Sequence, residues 1–162
     1  MLLIISMLTL VDRSSKLWNF LGENLQGLVA DGEVLISDVA LHEKNITDYS
    51  YLVFPFAKAY EGFLKKLFLE LKLIDKSEFY GDEVRIGRIL NPTFRTESKS
   101  VYDKIPHLPD RNLSEYLWSV WKSARNLVFH YYPNNFRKLT FEEAKFLIDD
   151  VVEAMLEAVV LV

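Results

Sequence analysis

The sequence predicts an all-α protein, a helical bundle with a long irregular insertion between its central helices. Apolar residues recur at helical spacing over residues 49–74, 112–132 and 140–161, which predicts three strong helices. Helix-capping patterns precede the last two. Five of the eleven glycines and prolines lie in residues 75–111, where the periodicity is lost. We therefore expect a single domain over residues 1–162.

Composition excludes several classes of protein. The chain has 162 residues, of which 50% are hydrophobic and 26% charged, so it should fold around a core of its own. It has no cysteine, which excludes disulfides, thiol nucleophiles and cysteine-ligated metals. No apolar run approaches the ~20 residues that a membrane-spanning helix needs.

The net charge of −4 does not decide the partner, because it is unevenly distributed. Residues 140–162 carry six acidic side chains against Lys145, a net charge of −5. The remaining residues therefore carry −4 − (−5) = +1, and a nearly neutral body is combined with an acidic C-terminal helix.

The N-terminal third is predicted in less detail. Residues 1–11 are apolar but lack a preceding basic residue and a cleavage site, so we expect a buried segment rather than a signal peptide. Residues 14–30 have helical spacing, with Ser14 or Ser15 as a cap and Gly32 as a stop. Residues 33–40 fit either a short strand or a helical turn, and residues 41–48 are expected to form a loop.

The first strong helix, residues 49–74, has Asp48 or Ser50 as its candidate N-cap. Pro55 belongs near its first turn or marks a kink. Its expected apolar face consists of Phe56, Ala59, Phe63, Leu67 and Ile74.

Residues 75–111 are expected to lack regular structure, and a segment of that length is more often functional or mobile than idle. The part from Val84 to Lys99 carries four basic residues against Glu97 alone. If RNA binds, this group is the best candidate for contact with its backbone outside the central motif, and nearby Tyr80, Phe94 and Tyr102 would stack on bases. The candidate RNA-binding residues are Arg85, Arg88, Arg95 and Lys99, together with Lys65.

The last two helices begin with recognisable caps. Asn112 and Glu115 have the spacing of a capping box, as do Thr140 and Glu143. Pro133 is expected to end the helix that covers residues 112–132, because the residue before a proline is disfavoured in helical geometry.

One group of residues points to chemistry: Arg125-Asn126-Leu-Val-Phe-His130, near the end of the second strong helix. At about 100° per residue, Asn126 and His130 share a helix face, which the long Arg125 side chain can reach. A helix C-terminus favours the protonated imidazole, and a cationic histidine beside an arginine suits a phosphate ligand. No cluster of His, Asp and Glu has metal-ligand spacing, so we expect no metal or other cofactor.

This R-N-x-x-x-H pattern resembles the signature of the HEPN superfamily, small all-α domains of which many are metal-independent endoribonucleases. The stretch from Asp48 to Lys65, DYSYLVFPFAKAYEGFLK, is also similar to the HEPN domain of RNase LS-type toxins. The resemblance covers roughly residues 48–160 and leaves residues 1–47 unexplained. It implies a HEPN-like bundle in which Glu61 joins Arg125 and His130.

The resemblance also implies a reaction and partners. RNA would be cleaved by attack of its 2′-hydroxyl on the adjacent phosphate, with His130 as acid or base and Arg125 stabilising the developing charge. Asn126 would orient His130 or a phosphate oxygen, and Glu61 would hold Arg125 or act as a base. One histidine per chain leaves one proton transfer unassigned, so we expect a homodimer.

The expected setting is a cytoplasmic toxin–antitoxin or phage-defence system with a cognate antitoxin protein. In some HEPN toxins the motif is followed by a tyrosine that a nucleotidyltransferase antitoxin modifies with AMP. Tyr132 stands at that position, although packing is its more ordinary role.

Two alternatives remain open at this point. One is a non-catalytic HEPN module that binds a nucleotide or a partner protein. The other is a structural dimerisation domain, in which Arg125 forms an ion pair with Glu61 and His130 belongs to the core. The structural alternative predicts that Arg125 and His130 are buried, whereas the catalytic one requires that both are exposed.

Overall fold

A computed structural model describes residues 8–42, 45–133 and 137–162, and within these ranges the prediction of an all-α fold is confirmed. The α-helices are α1 (Lys16–Leu21), α2 (Glu23–His42), α3 (Ser50–Glu70), α4 (Lys76–Tyr80), α5 (Ile86–Ile89), α6 (Leu113–Trp121) and α7 (Phe141–Ala158). Within the described ranges no helix has both the length and the apolar character that crossing a lipid bilayer requires.

Helix α3 is the centre of the core. The largest fully buried side chains of the described structure, Tyr60, Phe56, Phe63 and Phe68, all belong to it. It packs mainly against α2 and α7. The predicted apolar face is therefore confirmed within the helix, but the predicted end at residue 74 is wrong, because α3 ends at Glu70 and the buried Ile74 lies beyond it. Pro55 lies inside the helix, where it is buried.

Helices α1 and α2 replace the single helix predicted for residues 14–30. Ser15 caps α1 by accepting a hydrogen bond from the Trp18 N–H, as one of the two predicted caps. Gly22, at a φ of 74°, then separates the two helices, because this backbone conformation is costly for a residue with a side chain.

The prediction that Gly32 ends this region is wrong, since α2 continues without interruption to His42. A Cβ atom on Gly32 would lie 2.3 Å from Cε2 of Phe56, whose side chain is fully buried. The glycine therefore lets α2 approach α3 closely. Residues 33–40, for which both a strand and a helical turn were open, are helical because they belong to α2.

The N-terminal segment is tied to α2 by one buried carboxylate. Glu33 accepts hydrogen bonds from the backbone N–H groups of Leu10, at 2.7 Å, and Val11, at 3.4 Å, and it pairs with Arg13. Val11 is buried. The prediction of a buried segment is wrong for Leu8 and Thr9, which are exposed, and residues 1–7 of that prediction lie outside the described residues.

Residues 75–111 are more ordered than the sequence predicts. They contain α4, α5 and two 3₁₀ turns, Pro92–Phe94 and Tyr102–Lys104. Their apolar side chains belong to the core, and the buried ones are Val84, Ile86, Ile89, Leu90, Val101, Tyr102 and Ile105. Short helical turns satisfy the backbone here because the glycines and prolines do not permit a longer helix.

The helix predicted for residues 112–132 is shorter in the structure. Asn112 caps α6 as expected, but α6 ends at Trp121 and is followed by a π-helical turn, Lys122–Asn126. In that turn the N–H of Leu127 donates to the carbonyl of Lys122 at 3.0 Å. The prediction of helix beyond Asn126 is wrong, and His130 lies in an irregular segment.

A ring contact accounts for the direction of the chain after the π-helical turn. Phe129 packs edge-on against Phe54 of α3, with ring centroids 5.7 Å apart. Continuing the helix would compete with this contact, and Pro133 already disfavours helical geometry at the residue before it.

Helix α7 begins as predicted. Thr140 accepts a hydrogen bond from the Glu143 N–H at 3.2 Å, and the Glu143 carboxylate accepts one from the Thr140 N–H at 2.8 Å. This capping box is complete. The helix buries an apolar face that includes Ile148, Val151 and Met155 against α3 and α6.

Candidate functional site

Arg125 and Glu61, two of the four predicted catalytic residues, meet where the π-helical turn crosses α3. Nε of Arg125 lies 3.6 Å from Oε2 of Glu61, and the two side chains are 39% and 32% exposed. At this separation the contact is an ion pair but not a hydrogen bond. The guanidinium therefore keeps its N–H donors available while its position is held by charge.

Aromatic rings flank the Arg125 guanidinium. Its Cζ atom lies 5.6 Å from the centroid of Phe129 and 6.0 Å from that of Trp121. Both distances are within the range of cation–π attraction. Because Phe129 rests on Phe54 of α3, the rings and Glu61 together limit the directions in which the guanidinium can point.

A cleft of about 410 Å³ opens beside this ion pair. It lies between α3, the π-helical turn and the segment around α5. Its lining residues are Glu61, Arg85, Ile86, Gly87, Arg88, Phe94, Trp121, Arg125 and Asn126. The structure thus brings three predicted catalytic residues, Glu61, Arg125 and Asn126, to one cleft with two of the predicted RNA-binding arginines.

His130 does not line this cleft. Its side chain is exposed, and its ring centroid lies 6.1 Å from that of Tyr132 in an edge-on contact. The prediction that Asn126 and His130 share one helix face is wrong, because the chain is not helical at His130. The argument from the helix C-terminus does not apply to this histidine either.

The predicted RNA-binding residues do not form one basic surface. The Arg88 guanidinium donates to both carboxylate oxygens of Glu97, at 3.0 and 2.7 Å, and Arg95 binds Asp103 in the same way at 3.0 and 2.8 Å. These hydrogen bonds, reinforced by the opposite charges, raise the pKa of both arginines.

The two predicted lysines lie away from the cleft. Lys99 lies near two carboxylates, 3.4 Å from Glu78 and 3.9 Å from Glu83. Lys65 lines another cavity, of about 320 Å³, beside Gly22 and Lys66. The part of the chain that the structure describes offers no ion-pair partner for Arg85, so this exposed arginine keeps its charge available at the cleft.

The three aromatic residues predicted to stack on bases differ in exposure. Tyr80 is 81% exposed, and Phe94 is half-buried at the cleft. The prediction is wrong for Tyr102, which is buried and donates its hydroxyl hydrogen to Glu115. Burial and this hydrogen bond raise the pKa of Tyr102 to about 12. Tyr132, the predicted modification site, is 39% exposed.

The sequence analysis did not single out three residues of the cleft, Ile86, Gly87 and Trp121. A tryptophan in an apolar helix by itself predicts no more than a core or interface position, and a glycine among turns predicts no more than a break in regular structure. The Trp121 side chain is indeed buried, but its Nε1 atom has no hydrogen-bond partner among the described residues. The four-residue spacing from Trp121 to Arg125 was the available signal that the two belong together.

Comparison with protein-family models gave no match, and comparisons with curated proteins and with solved structures gave none either. The HEPN assignment therefore stays a prediction that rests on the sequence motif. Among the described residues, no three His, Asp or Glu side chains are grouped as metal ligands would be.

Proposed function

We propose that this protein is a metal-independent endoribonuclease of the HEPN type. The observation that supports this most is the arrangement around Arg125. Its guanidinium is held by Glu61 at 3.6 Å, its side chain is 39% exposed, and it borders a cleft that Asn126 also lines. An arginine held in place by charge with free donors suits a phosphate, which it can bind through two parallel hydrogen bonds.

In the proposed reaction the 2′-oxygen of RNA attacks the adjacent phosphorus. The bond from phosphorus to the 5′-oxygen breaks, which leaves a 2′,3′-cyclic phosphate and a 5′-hydroxyl. One proton leaves the 2′-hydroxyl and one is delivered to the 5′-oxygen. His130 transfers a proton, Arg125 stabilises the negative charge on the phosphorane, and Asn126 orients the phosphate or the imidazole.

Two proton transfers call for a second group, which we assign to His130 of a second copy. The segment that carries His130 and Tyr132 is exposed in the single chain, where the same segment of a symmetry-related partner would face it. We propose a homodimer in which two copies of Arg125 and His130 face one RNA strand. The exposure of both residues also favours this function over the purely structural alternative.

The proposed biological setting is a cytoplasmic toxin of a toxin–antitoxin or phage-defence system. Its cognate antitoxin would bind near the exposed segment, and a nucleotidyltransferase antitoxin would find the Tyr132 hydroxyl there. Both assignments are proposals that come from the resemblance to HEPN toxins.

The test is cleavage of an end-labelled RNA of mixed sequence in EDTA, with the oligomeric state checked by light scattering. We expect the wild type to cleave it and to leave cyclic-phosphate ends. His130→Ala and Arg125→Ala should each reduce the rate at least about 100-fold, since each removes a group that acts in the transition state. His107→Ala is the matched control, because His107 is an exposed histidine beside a different cavity.

One observation favours a second candidate, a non-catalytic module that binds a nucleotide or a partner protein. His130 lies outside the cleft that contains Arg125 and Asn126. If the folded dimer cleaves no RNA, or if both alanine variants cleave as fast as the wild type, the ribonuclease proposal is wrong and this candidate takes its place.

A further inference from the structure

The cleft beside Arg125 has the size and lining of a ligand site in its own right. Its volume of about 410 Å³ is within the range of small-molecule sites. Ile86, Phe94 and Trp121 supply apolar surface, and Arg85 and Asn126 supply hydrogen-bond donors. Such a lining suits a ligand that combines a flat, mostly apolar part with an anionic part.

An unpaired donor lies at the bottom of this cleft. Trp121 is 5% exposed, and its Nε1–H group finds no acceptor in the described structure. A buried donor without an acceptor is costly, and native proteins nearly always pair such groups with protein, water or ligand. Because the indole nitrogen can only donate, the missing partner must present an oxygen or nitrogen acceptor.

Gly87 lies next to this donor and places no side chain over it. A Cβ atom on Gly87 would lie 3.0 Å from Nε1 of Trp121, closer than to any other atom of the indole. Gly87 and Trp121 both line the cleft, so the indole edge that carries the nitrogen faces a residue of the cleft wall. Since Gly87 lies within α5, a turn of ordinary helical geometry, the backbone does not itself require a glycine.

The charges define the anionic part of the ligand. Arg88 is bound by Glu97 and Arg125 is held by Glu61, whereas Arg85 has no ion pair with any described residue. Arg85 is therefore the cleft arginine that is best able to take a new phosphate without losing an existing partner. Arg88 lies over the ring of Phe94, with Cζ 5.0 Å from the centroid, and this gives the cleft one firm aromatic wall.

We infer that the cleft is a nucleotide subsite, which holds the base and phosphate of the RNA residue next to the cleaved bond. The base enters between Phe94 and Gly87 and presents an acceptor to Nε1 of Trp121, and Arg85 binds the phosphate of that nucleotide. Arg125, which lines the cleft as well, connects this subsite to the reacting phosphate. The inference rests on the proposed ribonuclease function, which it deepens by naming where one nucleotide of the substrate binds.

The test measures binding without cleavage. The probe is a fluorescein-labelled 2′-O-methyl RNA hexamer, which has no free 2′-hydroxyl and cannot react, and binding is followed by fluorescence anisotropy. The wild type should bind it about tenfold more tightly than a hexamer of the same length without bases. Gly87→Ala should weaken binding of the complete hexamer about tenfold and abolish the difference between the two probes, because its methyl group covers Nε1.

Two further variants examine the two parts of the subsite. Trp121→Phe removes the donor and keeps an aromatic ring, so it should behave like Gly87→Ala. Arg85→Gln should weaken both probes and lower the slope of log affinity against log salt by about one. The controls are Gly27→Ala, whose added methyl group meets nothing within 4 Å, and Lys76→Gln, which removes an exposed charge elsewhere.

The outcomes separate this inference from the proposed function. The subsite is overturned, even if RNA is cleaved, by either of two results. In the first, the wild type binds both hexamers with equal affinity; in the second, Gly87→Ala binds the complete hexamer as tightly as the wild type does. Base-dependent binding that Gly87→Ala abolishes supports the subsite even if none of the proteins cleaves RNA, in which case the ribonuclease proposal alone fails. If the smaller ring destabilises Trp121→Phe, Gly87→Ala decides the question.

Discussion

At the scale of single residues, Asp48 joins two distant parts of the chain. Its Oδ1 atom accepts hydrogen bonds from Ser50 Oγ at 2.6 Å, from the Ser50 N–H at 3.0 Å and from the Leu139 N–H at 3.0 Å. It thus holds the start of α3 next to Leu139, the residue before Thr140, which caps α7. Partial burial alone would raise the pKa of this carboxyl, but the hydrogen bonds from Ser50 and Leu139 lower it.

The first prediction concerns this carboxylate. A pKa that is lower in the folded than in the unfolded state stabilises the fold above the unfolded value and stops doing so as the pH falls through the folded value. Asp48→Ala should therefore lower the free energy of unfolding at pH 7 by about 1–3 kcal/mol. It should also lose less stability than the wild type between pH 5 and pH 3, measured by urea unfolding.

The control for Asp48→Ala is Asp31→Ala, which removes an exposed carboxylate from α2. We expect this control to be within about 0.5 kcal/mol of the wild type at pH 7. Equal acid sensitivity of Asp48→Ala and the wild type would contradict the role assigned to these hydrogen bonds.

Residue-level reasoning predicted one half of the candidate site and failed for the other. The pairing of Arg125 with Glu61 was anticipated as one of two open possibilities, because opposite charges on packed helices attract over a wide range of geometries. The relation of Asn126 to His130 depended on the chain remaining helical. The chain is in fact not helical at His130. Two constraints act against a helix there: the tertiary contact of Phe129 with Phe54, and the local effect of Pro133 on the residue before it.

At the scale of elements, α2 and α3 approach each other through Gly32. The point where its Cβ would stand lies 2.3 Å from Cε2 of Phe56, and that ring is fully enclosed. A side chain at this position therefore requires the two helices to move apart or the ring to leave its rotamer.

The second prediction follows from this contact. Gly32→Ala should lower the free energy of unfolding by about 1–3 kcal/mol, because overpacking outweighs the better helix propensity of alanine. Gly27→Ala is the matched substitution in the same helix, where the new methyl group meets nothing within 4 Å. It should raise the stability by about 0.5–1 kcal/mol. Thermal unfolding of the two variants decides the matter, and the assignment fails if their shifts have the same sign.

Elements were predictable from the sequence where local signals decide them. The capping box of Thr140, the cap at Asn112 and the apolar face of α3 are local patterns, and all are confirmed. The continuation of α2 through Gly32 was not predictable, because it depends on a ring that lies on another helix. The short helices within residues 75–111 were missed as well, since their order comes from burial in a core that the other helices form.

At the scale of the whole molecule, the N-terminal segment depends on Glu33. This side chain is 2% exposed, and its carboxylate is neutralised by Arg13, which is itself 41% exposed. Removing one partner from such a pair leaves the other charge poorly compensated.

The third prediction is that Arg13→Gln lowers the free energy of unfolding by about 1–3 kcal/mol, since the buried carboxylate loses a charged donor. The amide hydrogens of Leu10 and Val11, which donate to Glu33, should exchange with solvent at least about tenfold faster. Hydrogen exchange followed by mass spectrometry measures this. Lys16→Gln removes a nearby charge from the surface and serves as control, although it also gives up a contact with the carbonyl of Val162. Unchanged exchange at Leu10 and Val11 in Arg13→Gln would show that Arg13 does not hold the segment.

The π-helical turn determines the direction in which the Arg125 side chain points. The turn Lys122–Asn126 closes its hydrogen bond over five residues, from Leu127 back to Lys122, where an α-helix would use four. Each residue of this wider turn therefore advances the chain by less than the roughly 100° of an α-helix. If Lys122–Asn126 continued α6 as ordinary helix, Arg125 would point in another direction and would leave Glu61, although no residue of the site had been replaced. The site therefore depends on the geometry of this one turn as well as on the identity of its residues.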